Sequence, residues 1–178
     1  MASDEATTEV LDDRFVQKAF PVLHRAAWKL TGDPIAAEDL AQETLVTALE
    51  KWDAFDGRSS RLTWIHGILI RKTRKHFRSL ARLRRAVDRY LSLEPPAEAE
   101  ASSDESLARS EWESSVWAKV ATLPRQQAEA ILLYYGQQMT YEQTAQALGC
   151  ATGTAKTRVH HGLKRLRESH SVSALSDQ

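Results

Sequence analysis

Apolar positions along this chain recur at threes and fours and never alternate strictly, so the pattern predicts helices and no strands. Val16, Phe20, Leu23, Ala27 and Leu30 place one helix over residues 14–30, interrupted at Pro21, a kink site, and closed by Gly32. Asp33-Pro34 then supplies an N-cap and a first-turn proline for the next helix, residues 34–52. There Ala37, Ala41, Leu45, Ala48 and Trp52 form the inward stripe, flanked by Leu40 and Leu49, while Glu38, Asp39, Gln42, Glu43 and Val46 face outward. Residues 53–61 read as a turn around Gly57. A long helical region follows over 62–91, with a break expected near Ser79. Helical spacing resumes over 112–122 through Trp112, Val116 and Val120. It restarts after Pro124, where Ala128, Ile131, Leu132 and Tyr135 are expected on the buried side, and ends at Gly136.

The last two periodic segments form a pair. Residues 140–148 begin at Thr140, with Gln143 in the capping-box position, and close at Gly149. In residues 152–167, at about 100° per residue, Ala155, Val159, Gly162, Leu163 and Leu166 share one sector. Thr157, His160, His161 and Lys164 lie opposite, with Lys156, Arg158 and Arg165 on the flanks. Two short helices around a tight turn, the second basic on its free face, read as a helix-turn-helix whose second helix enters the DNA major groove. An amphipathic surface helix would show the same face, and the paired helix and turn favour DNA.

A net charge of zero sits poorly with nucleic-acid binding until its distribution is examined. Residues 1–57 carry −7, residues 58–92 carry +10, residues 93–113 carry −6 and residues 114–178 carry +3. Alternating blocks imply surfaces for different partners. In the basic block Arg71, Lys72, Arg74, Lys75, Arg78, Arg82, Arg84, Arg85 and Arg89 face Asp88 alone, a density that a polyanion would compensate. Trp52, Phe55 and Trp64 flank the turn that holds Arg58 and Arg61, so they can stack unpaired bases or bracket the turn as core residues. Asp39 and Glu43 are a like-charge i,i+4 pair, which fits either a solvated face or one that awaits a basic partner.

Residues 93–110, rich in Pro, Ala, Ser and acid, read as a linker between two helical units, and residues 1–13 as a loose acidic leader. The single cysteine, Cys150, excludes an internal disulfide and suits a reducing cytosol. There is neither a signal-peptide pattern nor an apolar run of membrane-spanning length, so no membrane insertion is expected. The histidines lack metal-ligand spacing, no nucleophile–base set or phosphate loop is visible, and neither cofactor nor metal is expected.

The order of these pieces resembles the bacterial extracytoplasmic-function (ECF) sigma factors of RNA polymerase. The resemblance covers residues 14–167. It rests on AAEDLAQETLVTALEKWDAF (36–55), TWIHGILIRKTRKHFR (63–78), LPRQQAEAILLYYGQQMTYEQTAQALG (123–149) and GTAKTRVHHGLKRLR (153–167). It implies an all-α chain of two small helical domains joined by a flexible acidic linker, the second containing the helix-turn-helix. The implied bounds are 14–92, 93–110 and 111–170, with a tail over 171–178. It also implies a cytoplasmic, non-enzymatic transcription-initiation factor that binds core RNA polymerase (clamp coiled coil and flap) and promoter DNA, often restrained by an anti-sigma factor.

By matching position, the resemblance assigns Asp39, Leu40, Gln42 and Glu43 to core-polymerase binding. It assigns Trp52, Phe55, Arg58, Arg61, Trp64, Arg71, Lys72, Lys75 and Arg78 to the −10 element, where bases are captured flipped out. It assigns Lys156, Thr157, Arg158, His160, His161 and Lys164 to the −35 element, with Arg158 nearer the core by its place on the wheel. Arg71 and Lys75 stand where the family usually has Asn and Asp, and His160 and His161 replace more usual aromatic or Arg residues. A helix-turn-helix regulator is the rival reading. It lacks an account of the first half, where no receiver-like alternation of strands and helices is found.

Overall fold

The computed structural model describes residues 13–91 and 115–176, and every regular element among them is helical. The leader up to residue 12, the linker over 93–110, Trp112 and the last two residues lie outside the described residues.

Helix α1 (Asp13–Thr31) runs through Pro21 and ends at Gly32, whose φ of +65° suits a residue without a Cβ. Asp33 then caps α2 (Pro34–Glu50), its carboxylate accepting from the Ala36 N–H at 3.0 Å. The buried face of α2 comprises Ala36, Ala37, Leu40, Ala41, Thr44, Leu45 and Ala48. Leu49 is exposed instead, and Thr44 takes a buried place by donating its hydroxyl to the Leu40 carbonyl at 2.6 Å. A short 3₁₀ turn over Trp52–Ala54 leads into the bend at Gly57.

Helix α3 (Arg61–Leu91) is a single span of 31 residues, and the break expected near Ser79 is absent. Nothing between residues 61 and 91 interrupts a helix: there is no proline, and the one glycine, Gly67, lies in the tightly packed first half. Residues 63–70 pack with α1 and α2, whereas residues 78–90 are exposed.

The second half comprises α4 (Val116–Ala121), α5 (Arg125–Ile131) with a π-helical turn (Leu132–Gly136), α6 (Tyr141–Leu148) and α7 (Thr152–Ser176). The π turn adds a residue to its loop, so Leu132 and Leu133 are both buried while Tyr135, expected inside, is exposed. Tyr134 stacks on Tyr141 at 4.2 Å between ring centres. The expected capping box is complete: Thr140 Oγ1 accepts from the Gln143 N–H at 3.2 Å, and Gln143 Oε1 accepts from the Thr140 N–H at 2.9 Å. Gly149 ends α6 in the left-handed region at φ +66°. Gly162 lets α7 lie directly on α5, because a Cβ there would come 2.6 Å from the Ile131 side chain.

The two halves touch. Helix α6 packs on the first half of α3, α4 packs on α1, and Lys29 lies over the Trp117 ring at 4.3 Å. Thr140→Ala removes one half of the capping box, and we expect a loss of about 1 kcal/mol in urea unfolding. An unchanged midpoint would show that α6 is held by tertiary contacts alone.

Candidate nucleic-acid interface

The turn between α2 and α3 carries a three-ring cluster. Trp52 stacks on Phe55 (5.1 Å, 25°), Trp64 meets Trp52 edge-on (6.0 Å, 78°), and Phe55 lies 5.5 Å from Trp64. All three are half-buried, so each supports the turn and keeps part of its ring at the surface. The rings therefore bracket the turn, as one reading of the spacing expects, and leave part of their faces at the surface. Asp56 shapes the loop by accepting from the Arg58 backbone N–H at 3.1 Å and from its guanidinium at 2.6 Å. These bonds to Arg58 hold the Asp56 carboxyl below the usual carboxylate range. Arg58 still leaves most of its side chain in solvent.

The other basic residues assigned to this site have unequal freedom. Lys75 and Arg78 are exposed on α3. Lys72 is paired with Glu43 at 3.0 Å, which ties α3 to α2. Arg61 stacks its guanidinium on Phe15 of α1 at 4.6 Å, a contact that holds it against the protein. Arg71 is exposed on α3, and partial desolvation, with a smaller push from Arg74, lowers its pKa.

On the outer face of α2, Asp39, Gln42 and Glu43 are exposed. Leu40, assigned to the same surface, is buried and shapes that face from inside the core. Of the apolar companions of these polar residues, the sequence pattern placed Val46 outward and missed Ile35 and Leu49. Ile35, Val46 and Leu49 are exposed, and they share one sector of the helix with Asp39 and Gln42. Acidic groups interleaved with apolar ones suit a protein partner with a basic, partly apolar surface.

The free face of α7 follows the helical wheel. Lys156, Thr157, His160, His161 and Lys164 are exposed, Arg158 is half-buried, and Ala155 and Val159 are fully buried. The Thr157 hydroxyl donates to the Gly153 carbonyl at 2.9 Å, and Lys164 faces Glu168 at 3.9 Å. No group of metal-ligating side chains occurs among the described residues, and no described helix is long and apolar enough to cross a membrane.

A capped helix-turn-helix behind a basic helix and an aromatic turn narrows the choice of family, and the comparisons decide it. The family model for Sigma-70 region 2 matches residues 15–83, and that for Sigma-70 region 4 matches residues 114–166. The ECF RNA polymerase sigma factor EcfG of Rhodopseudomonas palustris is 32% identical over 160 residues, covering 90% of this chain and 84% of that protein. The chain belongs to the ECF sigma factors.

Among other ECF relatives, the RNA polymerase sigma-E factor of Streptomyces avermitilis is 29% identical over 161 residues, covering 90% of this chain and 86% of that one. The sigma factor RpoE of Bartonella quintana, solved in complex with the anti-sigma factor NepR, superposes with a TM-score of 0.61 at 30% identity. That match covers 89% of this chain and 96% of RpoE. CnrH, solved with the cytosolic domain of CnrY, has the same fold at a TM-score of 0.59 and 23% identity, over 92% of this chain and 86% of CnrH. As a sigma factor, the chain serves in transcription initiation.

One residue between the halves of this sigma factor titrates under burial. His66 is fully buried on α3, with Nδ1 2.8 Å from the Leu62 carbonyl and Nε2 3.2 Å from Gln137 Oε1. Burial pushes its pKa down and outweighs the two hydrogen bonds, which act in the opposite direction. The unfolded chain therefore takes up this proton first, near the usual histidine value of about 6.5. Its contribution to stability is full above that pH and is lost as the pH falls through the lower folded value. Urea unfolding at pH 7.5 and pH 5.5 should show wild-type protein losing more stability than His66→Gln on acidification. Equal losses would contradict the assignment.

Proposed function

We propose that this sigma factor docks on core RNA polymerase through the outer face of α2, captures unpaired −10 bases at the Trp52–Trp64 turn, and reads the −35 duplex with α7. The observation that carries this reading is the division of labour on one chain: an aromatic turn beside a basic helix, and a separate helix-turn-helix with a free donor face. Only a promoter-opening factor needs both, because unpaired bases are held by stacking and shape, whereas duplex is read at groove edges. Extruding a base costs a few kcal/mol, and a site that binds the extruded base offsets that cost and favours melting.

Roles follow from exposure. On α2, Asp39 and Gln42, with Ile35 and Val46 beside them, form the polymerase-facing surface, and Glu43 contributes while also holding Lys72. Trp52, Phe55 and Trp64 form the stacking platform, with exposed Arg58, Arg71, Lys75 and Arg78 on the neighbouring phosphates. On α7, Lys156, Thr157, His160, His161 and Lys164 face the groove, and half-buried Arg158 serves phosphate or structure. Acting on promoter DNA places the chain in the cytoplasm, as a binding factor without catalysis of its own. An anti-sigma factor is a further partner, in keeping with the NepR complex of its relative. A plain helix-turn-helix regulator would leave the region 2 match over residues 15–83 without a purpose.

Asp39 is the cleaner probe of docking, because reversing Glu43 would also release Lys72. We expect Asp39→Lys to abolish co-purification with core polymerase while the helix-turn-helix still binds duplex −35 DNA. Undiminished co-purification would refute the docking surface. Replacing His160 and His161 together by Ala should alter the −35 sequences recovered from a randomised-promoter selection, and an identical consensus would show that neither side chain specifies bases.

A further inference from the structure

The two halves meet along a seam on α3. His66 meets Gln137 there, and Gly67 comes close to the second half, since a Cβ on it would lie 3.2 Å from the Ala147 carbonyl oxygen. Further along α3 the packing leaves a gap. A partly open cavity of about 200 Å³ lies between Leu30 of α1, Thr73 and Phe77 of α3, and Leu123, Ala128 and Glu129 of the second half. An apolar cavity of about 150 Å³ is enough to hold a benzene ring. Most of this wall is apolar too, and Ala121, which also lines it, is exposed and so stands at the rim.

The remaining wall is charged. Glu129 is 1% exposed, and Arg74 meets it with Nε at 3.0 Å from both carboxylate oxygens and Nη2 at 2.6 Å from one. That fork already matches one carboxylate with one guanidinium. Arg125 is a second cation on the same wall. It lies 3.6 Å from Glu129, stacks over Phe77 at 4.1 Å and donates to the Thr73 carbonyl at 3.1 Å. This is a single hydrogen bond from a group with five N–H donors, on a side chain that is 34% exposed. Burial lowers the Arg125 pKa, Glu129 opposes the shift, and Arg74 and Arg78 add to it. Three guanidinium groups around one carboxylate leave positive charge in excess beside an apolar space. A neutral hydrocarbon would fill the space and leave that charge unanswered. An inorganic anion would answer the charge and leave the apolar walls against water.

We propose that this cavity binds a small monocarboxylic acid with an apolar body of one ring or a short alkyl chain. The body lies against Leu30, Phe77, Leu123 and Ala128, and the carboxylate accepts from Arg125. None of these residues belongs to the surfaces proposed above for polymerase or promoter. An occupant touches both halves, and because it binds only the folded chain it stabilises their packing by mass action.

Benzoate and its neutral counterpart benzyl alcohol are the probes. Each is titrated into the full chain at constant ionic strength, with the methyl resonances of Leu30 and Leu123 as the readout. Benzoate should saturate with a Kd of about 1 mM or tighter, at least about tenfold tighter than benzyl alcohol. Arg125→Gln should bring the two ligands to within about twofold of each other, weakening benzoate and sparing benzyl alcohol. Ala121→Trp fills the cavity from its exposed rim and should abolish both titrations while the chain stays folded. Shifts that do not saturate, equal binding of the two probes by wild type, or a preference for benzoate that survives Arg125→Gln would overturn the proposal. So would benzoate binding that persists in Ala121→Trp.

Discussion

The arrangement of this chain depends on one carboxylate. Glu129 is out of water, and two guanidinium groups, from Arg74 and Arg125, meet its carboxylate there. Removing one partner of such a buried pair typically costs about 3–5 kcal/mol, because the other charge is left uncompensated. The hydrogen bond to Glu129 also raises the pKa of Arg74, so that cation stays charged across the accessible range. The pair contributes orientation more than cohesion. A planar fork facing a carboxylate fixes how α5 sits on α3, and α6 and α7 follow through the packing of α7 on α5.

Helix α3 is the spine that makes this consequential. Its first half is core to the region 2 fold, with Ile65, Leu69 and Ile70 fully buried. The same stretch supplies His66, Gly67, Thr73 and Arg74 to the seam, while Lys75 and Arg78 remain exposed. One helix thus carries the core of its own half and the contact with the other half on adjacent faces. The excess positive charge of residues 58–92 is partly spent within the chain: Lys72 goes to Glu43, Arg74 to Glu129, Arg61 to Phe15 and Arg58 to Asp56.

Much of the local structure was legible in the residues because it is locally determined. The Asp33 cap, the Thr140–Gln143 capping box, the Gly32 and Gly149 stops and the inward sector of α7 each involve groups a few positions apart. The misreadings arose where a local rule met a longer-range constraint. Leu49 was left outside next to the 3₁₀ turn, and the π turn shifted Tyr135 to the surface. Glu129 and Arg74 are 55 positions apart, and no periodicity points to such a pair. A charged residue in an otherwise apolar run, as Glu129 is in AEAILL, was the available signal that a buried partner existed. The aromatic turn and the helix-turn-helix were legible as motif order, whereas the occupation of Arg61 and Lys72 by intramolecular contacts was not.

The central claim is that this chain turns core polymerase into a promoter-specific enzyme. Run-off transcription with purified core polymerase and a genomic promoter library addresses it most directly. The account predicts discrete transcripts, absent with core alone, whose upstream regions share paired −10 and −35 sequences at a fixed spacing. Transcription indistinguishable from core alone would contradict it, as would transcripts that share no upstream pair.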